Sequence, residues 1–240
     1  MKSQANRFML SYLWWFLEPL LFVGMFFVIF GYVLDRGGDR YFEFLVVGKI
    51  VFMWFSKGVT MGSNSLVQNK GIIGQSSIPK WIFPIVNTLE ATYRTLIAFL
   101  ILAIIILFNF SGNFLMWLQL IPLSFMTLWF ILSLSMVLSV LVSFAEDISQ
   151  IISLLMMGML FSSGIFWDVN QISNSEISYL IFALNPLALY IDSYREVLLH
   201  GEIVDYSRFG FAMLTNIIFT LVSIGLFYYG NNKITRRLFS

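Results

Sequence analysis

No cysteine occurs in this chain, and histidine occurs once, at His200. The first absence excludes disulfides and thiolate metal sites. The second removes the side chains needed for a histidine-built metal centre or a Ser–His–Asp triad. Charge is scarce too: 11% of residues are Asp, Glu, Lys or Arg, where a soluble domain carries roughly 25%. A net charge of +1 leaves no basic footprint, so no nucleic-acid partner is expected. No G-x-x-x-x-G-K-[ST] phosphate loop is present, since Gly48-Lys49 stands inside an apolar run. No carboxylate pair or nucleophile–base arrangement stands on the aqueous sides. The chain therefore has no visible means of hydrolysing ATP or cleaving a substrate, and no catalytic residue, metal ligand or cofactor of its own is assigned.

What remains is apolar. Hydrophobic residues make up 59% of the 240 positions, 26 of them Phe, and the mean hydropathy is +0.84. Such a chain cannot cover itself for water. It reads as an all-α membrane protein, because a bilayer core tolerates only backbones that bond within themselves. A crossing helix needs about 20 apolar residues, and six runs meet that length: 12–34, 42–61, 84–108, 116–142, 148–167 and 209–229. No repeat or linker divides them, so residues 1–240 form one transmembrane domain.

A seventh apolar stretch, 178–191, is cut by Asn185-Pro186. Asn caps helices and Pro fits the first helical position. A new helix should start at Pro186 and stop near Gly201. Leu187, Tyr190, Ile191, Tyr194, Val197 and Leu198 share one face, with Asp192, Arg195 and Glu196 elsewhere. The expected element is amphipathic or re-entrant, not a span. Basic residues favour the cytoplasmic side, and this tests the count. With six spans and both termini inside, the inner segments hold Lys2, Arg7, Lys70, Lys80, Lys233, Arg236 and Arg237; the outer ones hold Arg36, Arg40, Arg195 and Arg208. A seventh span would nearly erase that bias.

Charges inside spans are costly and mark function by default. Glu18, Lys49, Glu90 and Arg94 are the intramembrane candidates. Glu90 and Arg94 are four apart and can pair along one helix face. Such a pair either neutralises itself and orients the third span, or lines a polar conduit. A proton relay is disfavoured, with one carboxylate–base pair and no buried His to carry it. Trp14 and Trp15 sit where an interfacial aromatic belt would anchor the first span. Between spans two and three, Ser63 can cap a short helix that ends before Gly71. That connection is longer than a tight turn requires and suits docking of a cytoplasmic protein. Between spans four and five, Asp147 is available as an N-cap.

Four segments in this order resemble the membrane subunit (permease) of type-two ABC exporters, specifically the group that exports O-antigen, capsular or teichoic-acid polysaccharide. They are RFMLSYLWWFLEPLL, SSIPKWIFPI, AEDISQIISLLMMGMLFSSGIFW and NPLALYIDSYREVLLHG. The resemblance implies a homodimer in the bacterial inner membrane, with two copies of a separate ATPase subunit that carries ATP and Mg. It implies a glycan on a polyprenyl diphosphate carrier as substrate. Ser63, Asn64, Leu66, Val67, Asn69, Lys70 and Gly71 would form the helix coupled to the ATPase. Residues 175–201 would form short external gate helices, with Asn185, Pro186, Tyr190, Tyr194 and Arg195 as the gate residues. Lys2, Arg7 and Trp14 would meet the lipid diphosphate at the cytoplasmic interface, since Arg–phosphate bonds are charge-assisted. Ordinary inside-positive bias accounts for the same two cations.

The chain departs from the family at three places. Ser11 stands where Gly is frequent, and Glu146 stands where the family often has Arg. Only Lys2 to Leu10 precede the first span, where a longer interfacial helix is usual. Two other readings stay open at this level. One is an ABC exporter for a small hydrophobic molecule or drug. The other is a non-transport membrane protein of glycan assembly, a scaffold or an enzyme acting on lipid-linked sugars.

Overall fold

A computed structural model describes residues 17, 21–33, 40–75, 77–107 and 114–239, and every regular element among them is helical. The first described helix, α1, is Leu21–Val33. It is followed by α2 (Tyr41–Ser63), α3 (Ser65–Gln68), α4 (Lys70–Gln75) and α5 (Ile82–Leu107). Then come α6 (Leu120–Phe144), α7 (Ile148–Ser162), α8 (Ser175–Leu184), α9 (Pro186–Arg195) and α10 (Gly210–Phe239). Short 3₁₀ turns, Phe114–Gln119 and Tyr206–Phe209, lead into α6 and α10. Among the described residues, four helical stretches are long and apolar enough to cross a membrane: Tyr41–Ser63, Ile82–Leu107, Phe114–Phe144 and Tyr206–Gly230. Leu21–Val33 and Ile148–Ser162 are apolar but shorter.

Helix α2 forms the core. Leu45, Val46, Val47, Ile50, Val51 and Phe52 are all buried, while Lys49, Lys57 and Met61 are half-buried. It packs against α5, α6 and α9, while α10 packs on α6. Small residues allow this closeness, as they do wherever helices associate in lipid. A Cβ on Gly58 would meet Ile131 Cγ2 at 2.6 Å, and one on Gly62 would collide with Thr88 Oγ1. Thr88 and Ser135 bond across the same seam at 3.0 Å. The serines of α6 satisfy themselves: Ser133, Ser135, Ser139 and Ser143 each donate to the carbonyl three residues back.

The outer helices differ. Val86, Leu89, Leu96 and Leu100 of α5 and Leu214, Leu221 and Ile224 of α10 are exposed, as lipid-facing or partner-facing side chains must be. In α7 only Ile152 and Met156 are buried. That helix has 15 residues, about 22 Å at 1.5 Å per residue. It ends at Ser162, short of the expected 148–167 run, because Gly164 turns the chain at φ 69°. Asn185 Nδ2 then donates to Ser163 Oγ at 2.9 Å and holds the turn.

Candidate functional site

The site at the α9 end of the molecule is built around α8 and α9. Asn185 accepts from the Ala188 amide, Pro186 occupies the first turn of α9, and Gly201 closes the following π-turn (Glu196–His200) at φ 65°. The boundaries are those the sequence signals require. Its surroundings are not. Every residue from Leu187 to Arg195 is buried, Asp192 and Arg195 included, so the polar face of the expected amphipathic or re-entrant element is covered by protein. Charged groups can be buried there because the rest of the fold supplies partners for them.

Arg195 is 5% exposed and reaches three backbone carbonyls. Nε and Nη2 donate to Phe44 O at 3.2 and 3.1 Å, Nη1 to Gly164 O at 2.7 Å, and Nη2 also to Ile165 O at 3.0 Å. Its guanidinium lies 3.3 Å from the Phe44 ring centroid. One side chain thus ties α9 to the start of α2 and to the turn after α7. Burial pulls its pKa down to about 9, against the opposing pull of Asp192 and Asp168. Arg40 adds a second tie, donating from Nη1 to Leu199 O at 2.8 Å.

Beside this latch lies an ion cluster. Arg208 donates to Glu196 at 3.0 Å and to Asp192 at 3.3 Å, and Asn170 donates to Asp192 at 2.8 Å. Burial raises the pKa of Asp192. Burial, with Asp192 beside it, pushes Glu196 up to about 7. Asn170, Asp192 and Glu196 border a cavity of about 1100 Å³ whose walls include Tyr41, Phe44, Phe161, Phe166 and Trp167. Flat rings and hydrogen-bonding acids together suit a polyhydroxylated chain better than a purely apolar one.

Tyr190 and Tyr194 are fully buried. Tyr190 donates to Met126 O at 3.3 Å and Tyr194 shares a 2.9 Å bond with Ser124. Burial pushes both phenols up to about 12. They bolt α9 onto α6.

The α2–α5 connection differs from the expected one in a specific way. Ser63 is no N-cap: it is the last residue of α2, buried, and donates to Thr60 O. The short helix α3 does end before Gly71, at Gln68, and Gly71 lies in the next helix, α4. Asn64 and Asn69 stand at the chain's two bends, donating side-chain bonds to Thr60 O (2.9 Å) and Ser65 O (2.8 Å), which also accept from their backbone amides. The result is a bent elbow, α3–α4. Ser63 and Leu66 face inward, Gly71 is exposed, and Asn64, Val67, Asn69 and Lys70 are half-buried. At the next turn α7 begins after Asp147, but that side chain makes no capping bond.

Among the described residues, the intramembrane candidates lie at two places. Lys49 lies over the Phe22 ring at 3.6 Å. Glu90 and Arg94 pair along α5, and Arg94 shares a small cleft with Lys57 and Met61. Lys2, Arg7, Trp14 and Glu18 lie outside the described residues. Sequence reading overlooked Arg208 and Asn170 as parts of the site; a lone cation after two acids spaced four apart was the available signal.

The profile of the ABC-2 type transporter family matches residues 2–199. An O-antigen export system permease protein RfbA from Klebsiella pneumoniae is 27% identical over 228 residues, covering 95% of this chain and 87% of that protein. One from Myxococcus xanthus is 23% identical over 210 residues, with 85% and 79% covered. The polysialic acid transport protein KpsM of Escherichia coli is 26% identical over 240 residues, with 95% and 88% covered.

Proposed function

Because the chain belongs to the ABC-2 type transporter family, we propose that it is the membrane subunit of an ATP-driven exporter for a lipid-linked polysaccharide of the O-antigen, capsule or teichoic-acid type. The observation that carries this is near full-length similarity to permeases named for O-antigen export and polysialic acid transport. The ring- and acid-lined cavity beside α9 supports it.

In this reading two copies of the chain pair in the inner membrane, each with six crossings and both termini cytoplasmic. The exposed Ile151, Leu154, Leu155 and Phe161 of α7 suit a second copy. ATP and Mg belong to two copies of a partner ATPase, which docks on the α3–α4 elbow. Motion then has a direct route outward. The elbow is continuous with α2 through Asn64, and the far end of α2 holds Arg195 through Phe44 O. Thus α2 acts as a rod between the coupling elbow and the external gate, α8–α9. Lys2 and Arg7 receive the carrier diphosphate on the cytoplasmic side.

Deletion of the gene tests the proposal. Surface polysaccharide should disappear while its lipid-linked form accumulates inside the cell, and the chain expressed with a co-encoded ATPase should reverse both. Normal surface polysaccharide in the deletion strain would sink it. The purified chain alone should show no ATPase activity.

A further inference from the structure

A second cavity, of about 850 Å³, opens between the start of α5 and the C-terminal half of α10. Its floor is apolar, formed by Ile73, Met136, Ile224 and Phe227. Its rim carries Lys80, whose ammonium donates to the Thr235 hydroxyl, together with Trp81 and Tyr228. None of the described lining residues is acidic. Lys80 is 9% exposed, and burial lowers its pKa. Arg236 and Arg237 follow Thr235 directly and are exposed. Trp81 and Tyr228 are 46% and 78% exposed, as aromatic residues at a membrane–water interface are.

An apolar groove between helices that ends in cations and interfacial aromatics has the layout of a headgroup site. Basic pockets between helices on the cytoplasmic side hold anionic lipid headgroups, and nearby Lys and Arg strengthen that attraction. We propose that this cavity binds an anionic phospholipid of the cytoplasmic leaflet. Its phosphate lies at Lys80 and Thr235 with Arg236 at the edge, and an acyl chain lies along Met136 and Phe227. The assignment does not depend on what the protein exports. The bound lipid would brace α10 against α5 close to the elbow, making the transporter's behaviour sensitive to membrane composition.

The test uses the full chain in mild detergent, with phosphatidylglycerol and phosphatidylcholine as probes and native mass spectrometry as readout. Wild type should retain phosphatidylglycerol about fivefold or more over phosphatidylcholine, the scale expected from one or two basic contacts. Lys80→Gln should lose the preference, and Met136→Trp, which fills the floor, should lose the lipid. Arg236→Gln alters an exposed position and folds regardless; it should weaken the preference even if the buried variants fail to fold. Equal retention of the two lipids overturns the proposal, as does a preference unchanged in Arg236→Gln and Lys80→Gln. Displacement of phosphatidylglycerol by farnesyl diphosphate assigns the cavity to a polyprenyl carrier instead. A gain of lipid on deleting residues 2–10 assigns it to the chain's own N-terminal segment.

Discussion

A Cβ on Gly48 would lie 2.5 Å from Nη2 of Arg195, so α2 and α9 meet only because α2 has no side chain at that position. The guanidinium cannot retreat without leaving the carbonyls of Phe44, Gly164 and Ile165. Gly48→Ala should therefore destabilise the fold by about 1–3 kcal/mol, the cost of buried polar groups left unsatisfied. Arg195→Lys should do so too, because one ammonium cannot span three carbonyls held by a planar fork. Thermal unfolding in detergent measures both. A Gly48→Ala protein as stable as wild type would show that the latch is loose.

Glu196 gives the hairpin a pH dependence. Its pKa is raised from the ordinary 4.5 to about 7, so between those values the folded state holds a proton the unfolded state has lost. Stability of α9 should therefore fall as pH rises towards 7 and level off above it. Hydrogen exchange of residues 186–200, corrected for intrinsic rates, should be slower at about pH 5.5 than at about pH 8. Glu196→Gln should flatten the difference. Opposite behaviour would mean that the bond to Arg208 outweighs burial.

The absence of cysteine makes the gate reading easy to challenge. Cysteines at Ser163 and Asn185, whose side chains now touch at 2.9 Å, can be joined by a short thiol crosslinker. Crosslinking should stop export and reduction should restore it. Transport through a verified crosslink would exclude α8–α9 as a moving gate.

Lys70 stands half-buried on the elbow and tests the docking reading. Lys70→Glu should reduce co-purification of the ATPase several-fold while leaving the chain's level in the membrane unchanged, as reversal of a rim charge does at other interfaces. Undiminished co-purification would move the docking surface elsewhere.

Arg7→Ala should lower export several-fold at normal protein levels if its guanidinium attracts the carrier diphosphate. Intact export would leave Arg7 as ordinary topological bias.

Hydropathy made the long helices legible, since lipid forces the same backbone solution on any apolar run of sufficient length. Asn185, Pro186 and Gly201 marked the limits of α9 and its π-turn because capping is local chemistry. At the elbow only the cap was misplaced: Ser63 has the right type for one, but α2 runs through it and Asn64 precedes α3, which ends at Gln68. Burial of α9 was invisible, because the partners of Arg195 are carbonyls from residues 30 and 151 positions away in the chain. Periodicity can assign polar residues to a face. It cannot say that another segment will come to meet them.

The shortness of α7 has a consequence for any polar cargo passing beside it. Its 15 residues supply at most about 22 Å of helix, whereas the hydrocarbon layer is about 30 Å thick. In the proposed six-crossing arrangement the remaining depth would be filled by the turn at Gly164 and by α8 and α9, whose surroundings are hydrogen-bonded and charged. A glycan moving along this wall would face an oily layer about a quarter thinner than the surrounding bilayer, and its hydroxyls would find donors and acceptors well before they reached open water.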